Sequence, residues 1–167
     1  MYMSIVGRLI YLTHTRPDIS YDVGVVSRFM HSPTKHHFGA VKRIIRYVVC
    51  TKHYGIWYMK SKKLLLEGFT DSDWAGSQED RRSTTGNCFN VGTGIISWLS
   101  KKQENVALST AEAEYVAASI TTCQAIWLRK LMNDLMQEQT EAIMIYCDNQ
   151  SAIAMTKILS CMVEPST

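Results

Sequence analysis

The chain lacks several things that would each have named a class. It has no apolar run near the roughly 20 residues that cross a bilayer, which argues against a membrane protein. The start, "MYMSIVGRLIYLTHTRPD", has its apolar run broken by Arg8 and no small-residue cleavage site, so it does not read as a secretory signal. The five cysteines (Cys50, Cys88, Cys123, Cys147, Cys161) include no C-x-x-C pair. Four lie inside apolar segments, so buried free thiols in a reducing compartment are expected, in place of disulfides or a zinc site. There are no internal repeats and no low-complexity segments. What remains is 167 residues, 46% apolar and 20% charged, which suits a soluble globular protein. The length allows one domain with a real core, or one domain and a fragment of another.

The net charge of +3 conceals an asymmetry. Residues 1–60 carry nine Lys and Arg, two acids (Asp18, Asp22) and all five histidines. Residues 61–167 carry nine Lys and Arg against thirteen acids. A basic half beside an acidic half suits a polyanion grip next to a metal-binding carboxylate site. Uneven surface charge without function gives the same numbers.

The first half reads as helical. "SIVGRLIYLTHT" has Ile5, Leu9 and Leu12 at helical spacing. A second helix is expected from Pro17 to just before Pro33. A third follows Thr34 as N-cap, with Phe38, Val41, Ile45 and Val48 on its apolar side. Lys35, Lys42, Arg43 and Arg46 occupy the other side, a face that is either solvated or binds phosphates. Near Gly55 the pattern changes, and the domain boundary is placed at 60/61. "GIWYMK" and "KKLLLEGFTDSD" read as strands, "DSDWAGSQEDRRSTTG" as loop. Two further strands, Cys88 to Val91 and Ile95 to Ser100, flank a "GTG" turn. A long helix is expected from Thr110 to about Gln137. "EAIMIYCD" is a continuous apolar run, the mark of a strand buried on both faces. "NQSAIAMTKIL" reads as a short helix. The fold class is therefore α/β: three antiparallel strands, a crossover helix, a parallel strand and a helix, preceded by a helical segment.

Asp71 and Asp148 each follow an apolar strand. If those strands are parallel neighbours, both carboxylates emerge at the sheet edge where α/β ligands collect. An Asp there also serves simply as a turn or cap residue. Between them "STAEAEY" opens the long helix with two glutamates. Ser109-x-x-Glu112 fits a capping box, with Glu112 reaching back to the Ser109 amide. Glu114 lies about 200° round the helix from Glu112 and shares its side with Ala117, Ala118 and Ala125, small residues that permit close packing on a sheet. The capping argument favours Glu114 as the third acid. Converging carboxylates repel unless a cation neutralises them, and hard oxygen ligands select Mg²⁺ or Mn²⁺. Two such ions suit phosphodiester hydrolysis.

The run "GFTDSDWAGSQEDRRSTTGNCFNVGTGIISWLSKKQENVALSTAEAEYVAAS", followed by "IYCDNQSAIA", resembles the ribonuclease H domain that ends copia-type retrotransposon Pol polyproteins. The upstream "SIVGRLIYLTHTRPDISYDVGVVSRFMHSPTKHHFGAVKRIIRYVVCTKHYGIWY" resembles the thumb-like end of the preceding reverse transcriptase. The resemblance covers residues 2 to about 157. It implies a ribonuclease H-like fold and cleavage of the RNA strand of RNA–DNA hybrids with two Mg²⁺ held by four acids. Asp71, Glu114 and Asp148 match three of them as catalytic and metal-ligating residues. The fourth, which follows a "KHIDIRYH"-like stretch, is absent from these residues, as is a polymerase Y-x-D-D motif. Asn87 stands where the family has an aromatic residue. Weak activity is the expectation, with a non-catalytic nucleic-acid-binding or inert transposon remnant as the alternative. Lys42, Arg43, Arg46 and a "SKKQ" turn (Lys101, Lys102) would contact the hybrid. Trp74 and Trp98 are expected to be core or rim residues. The remaining partner is the rest of the polyprotein, and the expected location is intracellular, in a cytoplasmic virus-like particle or the nucleus.

Overall fold

The computed structural model describes residues 1–60, 64–77 and 79–163, with side chains through Lys157. The chain divides into two compact units, Met1–Ile56 and Trp57–Thr167.

The first unit holds three helices, α1 (Tyr2–Leu12), α2 (Ser20–Ser27) and α3 (Lys35–Cys50), with a single 3₁₀ turn at Pro17–Ile19. On α1 the buried residues are Tyr2, Val6 and Leu9; of the expected stripe only Leu9 is buried, while Ile5 and Leu12 pack from the side. The Tyr2 hydroxyl donates to the Val26 carbonyl at 2.8 Å, which satisfies the polar tip inside the core. The second helix is shorter than its prolines suggested, ending at Ser27. α3 begins at the expected cap: Thr34 accepts from the His37 amide, and His37 Nδ1 accepts from the Thr34 amide. Its buried residues are Val41 and Ile44, and Ile45 is exposed, one position out of register with the expected stripe.

Buried Arg16 closes this unit. It donates to both Asp18 carboxylate oxygens (2.9 and 2.7 Å) and to the carbonyl and hydroxyl of Thr51 (3.2 and 2.7 Å). The guanidinium, aided by the Tyr47 hydroxyl, holds the Asp18 carboxyl below its ordinary range.

The second unit is built on a four-stranded sheet in the order β3-β2-β1-β4: β1 (Leu66–Asp73), β2 (Thr84–Val91), β3 (Gly94–Lys102) and β4 (Met144–Tyr146). β1, β2 and β3 form an antiparallel meander, and β4 runs parallel to β1. Helices α4 (Thr110–Asp134) and α5 (Gln150–Val163) complete it. This is the ribonuclease H-like α/β arrangement, and the strands before Asp71 and Asp148 are parallel neighbours, the condition on which the two acids were expected to converge. β2 and β3 are longer than "NCFNV" and "IISWLS" suggested. The polar residues Thr84 to Asn87 continue the ladder, because backbone pairing to β1 and β3 does not depend on apolar side chains.

Alternation along β1 turns Leu66, Gly68 and Thr70 inward and Phe69 and Asp71 outward. The inward face packs on α4, where Leu66 and Phe89 meet Ala125 and Leu128. Phe89 is fully buried and contributes about 2–3 kcal/mol. Its ring lies over Gly68, where a Cβ would come within 2.7 Å of Cε1.

Two strand expectations fail. Residues 55–60 form no strand; Tyr58 and Met59 instead reach the β2–β3 hairpin through single hydrogen bonds to the Ile95 carbonyl and the Thr93 hydroxyl. β4 is not buried on both faces. It is three residues long at the sheet edge, with Met144 and Tyr146 exposed and Tyr146 stacked on Phe69 at 5.0 Å. Its apolar run gains cover only on the α4 side, where Ile145 packs. The thiols also differ from expectation: Cys50 and Cys123 are exposed and Cys88 and Cys147 half-buried, all four free. Helix ends and outer helix faces account for the exposed pair. The Cys161 side chain lies outside the described residues.

Candidate functional site

The parallel pair sets the site's position. Phe69 of β1 lies opposite Tyr146 of β4, and two residues further along each chain stand Asp71 and Asp148. α4 starts across the same end of the sheet. Its N-terminus is fixed by Ser109, whose hydroxyl accepts from the Glu112 amide at 3.2 Å. The other half of the expected box is different: Glu112 Oε2 accepts from the Leu108 amide at 2.7 Å, not from Ser109. Glu112 is thus a structural residue, one position removed from the partner expected.

Glu114 faces the sheet. With Ala113, Ala117, Thr121 and Ala125 it belongs to the buried side of α4; Ala118 is only half-buried. Small residues there let the helix approach β1 closely enough for a direct bond. The Ser72 amide donates to Glu114 Oε1 at 3.0 Å, and also to Asp71 Oδ1 at 2.8 Å. One backbone N–H therefore holds two carboxylates. Glu114 Oε2 is buried with no hydrogen-bond partner, and the residue is only 5% exposed. Burial raises the Glu114 pKa most; the Ser72 hydrogen bond opposes this, and the charges of Asp71 and Asp148 add to it. Asp148 also approaches Glu114, together with Cys147: one ligand atom from each of the three lies within 4.8 Å of the others. Burial, with smaller contributions from the same acids, raises the Cys147 thiol as well.

The three acids singled out in the sequence are thus brought to one place from β1, α4 and the end of β4. An orphaned carboxylate oxygen among like charges is the donor set that a hard cation satisfies, so these residues fit Mg²⁺ or Mn²⁺.

Three further residues shape the place and were not singled out. Ser72 supplies the shared amide. Buried Gln103 ties the supports together, its Nε2 reaching Ser72 Oγ (3.2 Å), Thr85 Oγ1 (3.0 Å) and the Ala113 carbonyl (3.0 Å). Cys147 is the third. Only adjacency to Asp148 in the sequence marked it; nothing local marked Gln103.

The basic residues are arranged differently from the acids. Lys42, Arg43 and Arg46 are exposed on α3, in the first unit. Lys101 and Lys102 do not sit in a turn. They are the last residues of β3, opposite Thr85 and Thr84. Lys102 pairs with Asp80 at 2.7 Å and Lys101 with Glu104 at 3.7 Å. Lys102 and other hydrogen bonds hold the Asp80 carboxyl well below its ordinary range. Trp74 is a rim residue, half exposed, with its indole N–H on the Ala107 carbonyl at 3.1 Å; Trp98 is half-buried.

No family model matches the chain, and no solved structure does. Curated relatives do match. The chain is 45% identical over 151 residues to the retrovirus-related Pol polyprotein from transposon RE1 of Arabidopsis thaliana, covering 90% of this chain and 10% of that polyprotein. It is 47% identical over 157 residues to the corresponding polyprotein from transposon TNT 1-94 of Nicotiana tabacum, covering 93% of this chain and 12% of that one. It is also 46% identical over 128 residues to secreted RxLR effector protein 161 of Plasmopara viticola, covering 90% of that protein. The chain spans about a tenth of the length of the two polyproteins. On these similarities, the chain belongs to the family of copia-type retrotransposon Pol polyproteins.

Proposed function

We propose that the second unit is the ribonuclease H part of a retroelement polyprotein, hydrolysing the RNA strand of RNA–DNA hybrids. The observation that carries this reading is Glu114: a buried carboxylate with one unpartnered oxygen, held against Asp71 and Asp148. Asp71, Glu114 and Asp148 would hold the cation. The chemistry supplied by bound Mg²⁺ or Mn²⁺ is Lewis-acid stabilisation of a phosphodiester under attack by water.

The chain's own residues prepare that chemistry. The Ser72 amide fixes Asp71 and Glu114 in one relative orientation, leaving Glu114 Oε2 free to ligate. Gln103 holds the first turn of α4 at Ala113, next to Glu114. Asp71, exposed at the sheet edge, lies where a phosphate backbone has access. The cationic face of α3 offers contacts that read backbone charge and not base edges, and hybrid shape and 2′-hydroxyls would supply selectivity. Lys102, already paired with Asp80, offers less.

The test is cleavage of a labelled RNA–DNA hybrid with Mg²⁺ and with Mn²⁺. Wild type is expected to cleave the RNA strand, and Asp71→Asn to lose that activity. If the two cleave alike, the reading is wrong. The exposed α3 cations favour a second reading, nucleic-acid binding without cleavage. Hybrid binding that disappears above roughly 0.2 M salt, with no cleavage at any metal concentration, would establish it.

A further inference from the structure

One side chain in this cluster is not used by carboxylate chemistry. Cys147 follows β4 by one residue and stands near Glu114 of α4, two positions beyond Ile145, which packs on the same helix. There its Sγ, a Glu114 oxygen and an Asp148 oxygen lie within 4.8 Å of one another. Ligand atoms sharing one tetrahedral ion stand about 3–4 Å apart, given Zn–S near 2.3 Å and Zn–O near 2.0–2.2 Å. Small rotamer changes would close the set. Glu114 supplies the independent sign of a ligand, being only 5% exposed with Oε2 unpartnered. Oxygen-only sets suit Mg²⁺, whereas one sulfur among them shifts preference to Zn²⁺, Co²⁺ and Cd²⁺.

We propose that Glu114, Cys147 and Asp148 form a site for a thiophilic divalent cation, Zn²⁺ above all, which excludes Mg²⁺ from the carboxylates it shares. Asp71 lies outside this set, so the two ligand groups overlap without being identical. On binding, one sulfur–metal bond forms, the Cys147 S–H proton leaves to solvent, and no electron is transferred. The competition with Mg²⁺ rests on the ribonuclease reading; the binding does not.

The experiment is a Co²⁺ titration of the full chain under reducing, chelator-free conditions. Expected are a near-ultraviolet thiolate-to-cobalt band that saturates at one ion per chain and its displacement by Zn²⁺. Cys147→Ser should lose the band and Asp71→Asn should keep it. Cys147→Ser retains the other four cysteines, so a band that persists in it overturns the proposal. So does the absence of any band in wild type. Thermal unfolding of Cys147→Ser like that of wild type excludes misfolding as the cause. In the hybrid assay, the Zn²⁺ concentration that halves Mg²⁺-supported cleavage should rise at least tenfold in Cys147→Ser. A Cys147-dependent band without cleavage in any protein keeps the Zn²⁺ site and refutes the ribonuclease; cleavage without a band does the reverse.

Discussion

Replacing Glu114 by Gln should stabilise the metal-free protein while removing its response to Mg²⁺. The reasoning starts from Oε2, a buried acceptor without a partner, whose cost is about 1–3 kcal/mol. Gln keeps the oxygen that accepts from the Ser72 amide. A neutral amide replaces the charged carboxylate, so its repulsion from Asp71 and Asp148 is removed. The expected gain in EDTA is therefore about 1–3 kcal/mol. Each kcal/mol moves the Tm of a domain this size by about 4 °C, so a rise of roughly 4–12 °C should be seen. All four tryptophans (Trp57, Trp74, Trp98, Trp127) lie in the second unit, and their fluorescence reports its unfolding alone. Mg²⁺ should close or reverse the gap: a hundredfold excess over Kd stabilises wild type by about 2.7 kcal/mol and the variant hardly at all. The pH dependence has a fixed sign. The Glu114 carboxyl is raised above its ordinary 4.5. The stability it contributes is complete below that value and is lost as pH rises through the higher folded-state value. In EDTA, wild type should lose stability relative to Glu114→Gln as pH rises above 4.5. If the variant is less stable than wild type in EDTA, or gains as much from Mg²⁺, no uncompensated charge sits at Glu114.

Other perturbations test the supports. Gln103→Leu removes the Nε2 contacts to Ser72, Thr85 and the Ala113 carbonyl, the last two buried, and should cost about 2–3 kcal/mol in denaturant unfolding followed by tryptophan fluorescence. It should also weaken the Mg²⁺-induced rise in Tm, because the Glu114 turn loses its tie to the sheet. Asn87→Leu should do the opposite in the same assay, stabilising by about 1–2 kcal/mol, since both amide atoms of buried Asn87 lack partners. Arg16→Ala strands Thr51 and halves the partners of Asp18, at about 2–3 kcal/mol; amide exchange in α3 should accelerate roughly 30- to 150-fold.

Local features were legible because their physics is local. The cap bonds of Thr34 and Ser109 span three residues, so sequence spacing contains them. Even there the second half of the Ser109 box missed by one residue, because Glu112 has a longer reach than the motif requires. The choice between Glu112 and Glu114 followed from the capping role that Ser109-x-x-Glu112 gives Glu112, with Glu114 some 200° round the helix. Burial was less legible. "IMIYC" looks like a central strand, yet whether an apolar run is covered depends on what flanks it on both sides, and β4 stands at the edge. In the same way Ile44, not Ile45, faces the core of the first unit: adjacent apolar residues leave the phase of a helix open until its neighbours choose one.

Apart from the strand expected at 55–60, the sequence by itself determined the kinds of element, the meander and its crossover, and the three acids that end strands or open the long helix, since periodicity and capping are properties of consecutive residues. Only the tertiary structure decided that one amide would hold both Asp71 and Glu114, that Gln103 would bridge the sheet to the helix, and that Cys147 would stand beside the carboxylates. Those contacts join residues far apart along the chain, and their distances exist only once the sheet and α4 have packed.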